Sequence, residues 1–405
     1  MEQTTAKKNK YEIDMCNGTI MDKLISFSLP LMLSGILQLM FNAVDIIVVG
    51  RFSGSQALAA VGSTSALINV FTNLFIGISL GANVLTARFY AAGREKEVSE
   101  TVHTAITLAL VSGIVMALVG LVFSRGALAL MGTPDDVIGL SALYMRIYFL
   151  GMPFFMLYNY GAAILRAVGD TKRPLLFLMI AGVINACLNM VLVIVFKLGV
   201  AGVAIATVIS QMISCVLVLR CLCRSESSYR LRFSELGMKG YYLKQIFSVG
   251  VPAGIQSTVI NFSNVLLQSS VNSFGSTAMA GYTAANNLLG FLYVSVNSIT
   301  QACMSFTSQN YGVGKLKRMD RVLADCMILS VVVAVVLGCI CYGFGPEILQ
   351  IYTEDAEVIA CGMEILAYTT ITYFLCGWMD LFPGALRGMG YSAVPMVLSV
   401  IGTVG

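Results

Sequence analysis

The sequence predicts an all-α, polytopic membrane protein built as two six-helix lobes, and three observations predict it. Of the 405 residues, 57% are hydrophobic and only 11% are charged, against about 25% charged in soluble domains. The apolar residues come in runs of about 20, the length a helix needs to cross a bilayer, and mean hydropathy is +0.83. The chain also repeats itself. LRAVGDTKRP at 165–174 returns as LRGMGYSAVP at 386–395, pairing Arg166 with Arg387, Gly169 with Gly390 and Pro174 with Pro395. The same offset of 221 pairs Ala59 with Ala280, Tyr90 with Tyr311 and Gly93 with Gly314, and a gap near Ser53 shifts Pro30 and Pro252 to 222. Solenoid repeats have periods of roughly 20–50 residues, so this is a duplicated membrane half. An even number of spans per copy gives both copies the same topology. They are then related by an axis along the membrane normal, with a path between them, as in secondary transporters.

The elements follow in order. The tail 1–23 has no apolar core and no small-residue cleavage site, so no cleaved signal peptide is expected. The first lobe, 24–223, holds spans near 24–50, 57–87, 101–124, 138–163, 174–196 and 199–222. A charged linker, 224–244, leads to the second lobe, 245–405, with spans near 245–272, 278–308, 322–344, 357–385 and from 394 onward. In the register of the repeat, Gly405 falls opposite Ile184, while the first copy runs on to Cys223. The second lobe is therefore expected to lack about 39 residues, most of span 11 and all of span 12.

Charge placement sets the expected orientation. With the tail in the cytoplasm, 21 of the 25 Lys and Arg residues fall on the inner side, Arg166 and Arg387 among them. Arg51, Arg125 and Lys197 fall outside, and Arg146 within a span. The positive-inside rule then predicts a multi-pass protein of the bacterial cytoplasmic membrane with its N-terminus inside.

Several chemistries are not supported. The 11 cysteines are scattered without a CxxC pair and there is one histidine, His103, so no metal site or cofactor is expected. No GxxxxGK[ST] loop and no nucleophile–base constellation occurs, which argues against ATP hydrolysis or other enzymatic turnover within the chain. The expected partners are the lipid bilayer and small molecules, not nucleic acid.

Asp45, Arg146, Glu364 and Asp380 lie within spans, where a charge costs at least about 2.5–3.5 kcal/mol. Asp45, in AVDIIVVG, has no basic residue nearby in sequence. Such a carboxylate can exchange a proton or bind sodium with neutral oxygen ligands; the bland alternative is a hydrogen bond across helices. Asp380, in WMDLFPGALRG, either lines the inner cavity or pairs with a loop arginine. Arg146 and Glu364 fall about two turns inside the outer ends of their spans, where snorkelling or mutual pairing accounts for them. Asn185 and Asn189 sit at i, i+4 on one face of span 5. They can ligate an ion, bond to Asp45, or act as interhelical glue; Thr207 in span 6 has the same readings. Pro30 and Pro252 interrupt the hydrogen-bond ladder of spans 1 and 7, as hinges or as static kinks. The MPFFM run at 152–156 suits a pocket for flat aromatic compounds, or plain packing.

From about Met21 onward the chain resembles the multidrug and toxic compound extrusion (MATE) family. The marks are VDIIVVGRFSGSQALAAVG after Pro30, LRAVGDTKRP closing span 4, NACLN followed by a short GVAG turn, and LRGMGYSAVP in the second copy. The resemblance implies two six-helix lobes forming a V-shaped cavity. It implies efflux of cationic, amphipathic or aromatic compounds, driven by inward proton or sodium flow. Asp45 matches the span-1 carboxylate of the family's N-lobe ion site, and Asn185 and Thr207 match its polar partners. Asn189 matches a position that is Asp in some members. Tyr144 is similar to a cavity tyrosine on span 4, and Pro30 matches a proline about which span 1 bends. Two departures stand out. GIQSTVINFSNVLLQ carries no carboxylate where sodium-coupled members have a Glu in span 7, and Asp380 lies a turn closer to LRG than their span-10 Asp. Both favour an N-lobe ion site at Asp45. The expectation is an antiporter working by alternating access, as a monomer. The alternative, a lipid-linked oligosaccharide or lipid flippase of the same superfamily, is disfavoured because Arg146 is the only basic residue read as lying well inside a span. A membrane enzyme or scaffold has no catalytic cluster behind it.

Overall fold

In a bilayer only the segment itself can satisfy its backbone polar groups, so each apolar run folds as a helix. The structure, a computed structural model, describes residues 11–272, 274–350 and 355–404. The first half contains α1 (Met21–Phe52), α2 (Gly54–Ala91), α3 (Glu95–Leu130), α4 (Asp135–Leu150), α5 (Met152–Ala167), α6 (Lys172–Asn189) and α7 (Gly199–Cys223). The second contains α8 (Gly240–Asn272), α9 (Ser276–Gly312), α10 (Leu316–Gly343), the short α11 (Gly345–Leu349), α12 (Ala356–Gly388) and α13 (Ala393–Val404).

Three details differ from the span list. Span 4 is two helices, α4 and α5, bent by 47°. Pro153 has no N–H to continue the ladder, and α5 restarts with Phe154 and Phe155 both donating to the Gly151 carbonyl at 3.1 Å. Span 5 does not stay α-helical: after Asn189 it widens into a π turn, Met190–Val195. And by length and apolar composition alone seven of the described helices stand out as membrane spans, or eight with α4–α5 as one broken span, fewer than the eleven read from the sequence. The shortfall includes α8 and α9, whose polar side chains (Gln256, Asn261 and Asn264; Asn286, Asn287, Asn297 and Gln301) dilute their hydropathy.

Packing follows the duplication. α2 packs on α3, α4 and α5 as α9 packs on α10 and α12, and α3 on α5 as α10 on α12. The seam between the halves obeys the same exchange, α2 against α8 and α1 against α9. Glycines make the α2–α8 crossing possible. A Cβ on Gly77 would overlap the Gly254 backbone, one on Gly81 the Ile246 carbonyl, and one on Gly250 the Ile78 backbone. Both helices thus present a small-xxx-small pair, 77/81 and 250/254, the pattern that lets helix backbones touch in a membrane.

The repeated turn motif has the same geometry in both copies. Gly169 and Gly390 take φ of +96° and +94°, a left-handed conformation that costs glycine nothing. Each closes its helix in the same way: Gly169 N–H donates to the Arg166 carbonyl at 3.0 Å, and Gly390 N–H to that of Arg387 at 2.8 Å.

Residues 11–20 lie across both halves, and the face they cover is called here the tail face. Ile13 N–H donates to the Gly169 carbonyl at 3.3 Å. Glu12 accepts from Tyr90 at 2.8 Å and from Tyr229 at 2.7 Å. From the second half, Asn310 donates to the Met15 carbonyl at 3.1 Å and Lys315 to the Cys16 carbonyl at 2.9 Å. Met15 is fully buried, in one cluster with Phe27 and Phe306. The linker is held to α3 by His103, whose Nε2 accepts from the Arg232 N–H at 3.0 Å while Nδ1 lies 2.7 Å from the Ser99 carbonyl. The single histidine is therefore a clip between elements.

Candidate functional site

A cavity of about 510 Å³ lies between the two halves, walled chiefly by α1, α2, α4, α7 and α9. Three helices each present one face to it. α1 gives Leu31, Gln38, Asn42 and Asp45, α2 gives Asn69, Thr72, Asn73 and Ile76, and α9 gives Tyr293, Asn297 and Gln301. These recur at three- and four-residue steps, the period of a helix face. The polar residues inside otherwise apolar spans mark the wall; of those on these three helices the sequence reading named only Asp45, while Thr207 and Tyr144 on neighbouring helices were named too. Aromatic surface comes from Tyr144, Tyr148 and Phe155. Tyr144 and Tyr148 stack with ring centroids 6.2 Å apart.

Among the described residues Asp45 is the only carboxylate on that wall. It reaches α6 because a glycine removes the obstacle: the Phe41 ring lies where a Cβ on Gly182 would be, which draws α1 onto α6. Just beyond this contact the Asn189 amide donates to Asp45 Oδ1. The same amide lies 3.2 Å from Asn185 Oδ1. Thr207 stands beside the carboxylate and lines the cavity, its hydroxyl donating to the Val203 carbonyl at 3.0 Å. Asp45, Asn185, Asn189 and Thr207 are therefore brought together, with Tyr144 in the same cavity. Asn189 Oδ1 is buried and has no donor. An unmatched acceptor next to a lone carboxylate leaves a place for one more positive partner, and a proton or a small cation fits it chemically.

Other candidates are placed elsewhere. Asp380 is not among the residues lining the cavity. Arg387 is its electrostatic partner, and Tyr293, which does line the cavity, is a neighbour. Pro30 is buried inside α1, which runs through it without a break. Arg146 and Glu364 are both exposed, and no ion pair joins them among the described residues. Arg166 is the larger correction. Read as an inner-loop charge, it lines the cavity. Helical side chains lean toward the helix N-terminus. At the last turn of α5, that direction points the guanidinium back along the helix into the space between the halves.

The halves are bolted together at the tail face. Ser308 donates to the Val84 carbonyl at 2.6 Å, Ser305 to Asn83 Oδ1 at 3.2 Å, and Gln309 to the Ala167 carbonyl at 2.7 Å. Arg88 donates to the Met389 carbonyl at 2.8 Å and lies over the Tyr311 ring. Every side-chain hydrogen bond between the halves among the described residues lies at this end. The cavity is thus closed on the tail side.

The comparisons agree with this architecture. The MatE family model matches residues 30–191 and 252–405. A probable multidrug resistance protein of Bacillus subtilis (strain 168), YoeA, is 33% identical over 388 residues, which is 94% of this chain and 83% of the relative. The multidrug export protein MepA of Staphylococcus aureus (strain NCTC 8325 / PS 47) is 22% identical over 382 residues, 93% of this chain and 84% of MepA. Among solved structures, the outward-facing conformation of a multidrug resistance MATE family transporter of the MOP superfamily superposes with a TM-score of 0.91. It is 19% identical, covering 98% of this chain and 89% of that one, and the likeness shows the fold.

Proposed function

The chain belongs to the MatE family of multidrug and toxic compound extrusion transporters, and from that premise we propose that it exports amphipathic or cationic aromatic compounds in exchange for protons or sodium. As a member of that family it is a multi-pass membrane protein and a secondary transporter, not an enzyme.

The observation that carries the proposal is Asp45, the one carboxylate among the described residues on an inter-lobe cavity whose wall also carries amides, aromatic rings and a single guanidinium. Ionised, it is held by the Asn189 amide and attracts a cationic substrate. Neutralised by a proton or by sodium, it loses that attraction, and the substrate is free to leave. The tyrosines offer flat apolar surface with a polar edge, which suits varied aromatic compounds. One carboxylate fixes one positive charge, so one ion per cycle is the natural stoichiometry. Multidrug resistance and export in the names of YoeA and MepA support the same reading.

The charge asymmetry of the sequence puts the tail face in the cytoplasm, and this orientation is part of the proposal. With the tail side bolted, the conformation is then the one that releases substrate outward. Conversion requires the contacts of Ser305, Ser308, Gln309 and Arg88 to break and the far side to close.

A flippase remains the second reading, because Arg166 weakens the objection that Arg146 is the only basic residue well inside a span. One arginine is still a single charge where a pyrophosphate carries at least two. Expression in cells stripped of their own pumps tests the choice. Tolerance to ethidium that is lost in Asp45→Asn supports efflux. Unchanged tolerance, with altered surface polysaccharide, points to the flippase.

A further inference from the structure

The two copies treat their matched arginines differently. In the second copy Arg387 donates to Gln256 Oε1 and has Asp380 as an electrostatic partner. The offsets of 222 and 221 place Ser34 and Asn159 at the positions of Gln256 and Asp380. Neither substitutes for them. The Ser34 hydroxyl is turned to its own helix, donating to the Pro30 carbonyl at 2.8 Å, and Asn159 donates to the Phe155 carbonyl at 2.8 Å. Arg166 has no ion pair among the described residues, and the titratable group that bears on it is the Tyr158 phenol. Yet it faces a cavity of about 510 Å³ and is the only cationic residue on the wall among the described residues. A guanidinium turned into a membrane cavity without a carboxylate is a costly arrangement that marks function. Its five donors match an oxyanion in a planar fork.

We propose that Arg166 forms an anion subsite on the tail-side floor of the cavity, which receives the carboxylate or phosphate of an amphipathic molecule. The subsite deepens the transport reading, on which the word substrate rests. Asp45 and Arg166 then give one cavity two charges of opposite sign that do not pair with each other. Molecules bearing a negative group, with or without a cationic one, are accepted alongside simple cations.

Equilibrium binding to the purified chain in neutral detergent tests the subsite without requiring transport. The probes are a fluorescent aminoacridine carboxylic acid and its methyl ester, which share their ring system and differ in the negative charge. The acid is expected to bind about ten-fold more tightly than the ester. Arg166→Gln should remove that preference and leave ester binding unchanged. Asn159→Asp, which installs the carboxylate found in the second copy, should weaken the acid by a similar factor and spare the ester. Equal affinity for acid and ester in the unaltered chain overturns the proposal. So does a preference that survives Arg166→Gln, or an equal loss of both probes in that variant. Adding phosphatidylglycerol to the micelles separates the sources of the anion: competition that depends on Arg166 assigns the subsite to a lipid phosphate, and no competition assigns it to a small carboxylate. Loss of Asp45-dependent efflux with the acid preference intact would sink the transport reading alone.

Discussion

Asp45 and Asn189 form the smallest unit on which the account depends. Replacing Asn189 by Leu removes the amide that donates to Asp45 and leaves a carboxylate facing apolar surface. A cost of about 1–3 kcal/mol is expected, read as a lower thermal midpoint of the purified protein, together with impaired efflux. Asn189→Leu with unchanged midpoint and unchanged efflux would remove Asn189 from the site. Much of this cluster was legible in the sequence, since a lone Asp in an apolar span and two Asn residues at i, i+4 are local signals. Their convergence on Asp45 is one of several readings the residues leave open and is otherwise implied by the family resemblance; the packing that brings it about, Gly182 admitting Phe41, is a contact between distant segments that no local signal gives. Arg166 was misread for a simpler reason: its number puts it at a helix end, and only the lean of the side chain puts its charge in the cavity. The sequence leaves Asp380 open between the cavity and a loop arginine; it is absent from the cavity lining, and Arg387 is the charge that bears on it.

At the level of the helices, the α2–α8 crossing is the sharpest test. Gly77→Val or Gly254→Val puts a branched side chain where backbones touch. Each is expected to destabilise the protein by about 1–3 kcal/mol through overpacking and to pry the halves apart. Gly126→Val, at a glycine with open space around it, serves as the control. Equal thermal midpoints for all three variants would contradict the seam. The strongly apolar spans were readable from hydropathy, α8 and α9 less so, and the break at Pro153 was not read, since 138–163 reads as one span. The π turn after Asn189 was not readable, because Met190–Val195 is an ordinary apolar run whose widening is set by packing. The polar faces of α8 and α9 were readable in principle: a membrane helix that is too polar for lipid turns its polar side to a partner or a cavity.

At the scale of the whole molecule, the duplication explains the most, from the matched turns at Gly169 and Gly390 to the exchanged seams. Residues 11–20 break that symmetry, because they touch both halves at the tail face. Burial raises the Tyr229 phenol above its usual range; the bond from Ser225 opposes this and Glu12 adds to it. Tyr229 therefore stays protonated and donates to Glu12 across the physiological range. Glu12→Ala is expected to loosen this strap, seen as faster backbone hydrogen exchange in residues 11–20, since hydrogen bonds to a charged group contribute about 1.5–3 kcal/mol. Exchange no faster than in the unaltered chain would show that Met15 and the Arg318 contacts hold the strap without Glu12. The central claim is that a single carboxylate in the inter-lobe cavity couples ion entry to substrate exit. The most direct measurement is efflux of ethidium from vesicles holding the reconstituted chain, under a proton gradient or a sodium gradient, with Asp45 or with Asp45→Asn. The expected result is efflux under one of the two gradients that disappears in the variant while ethidium-independent folding measures stay the same. Efflux of equal rate in Asp45→Asn under that same gradient would contradict the account.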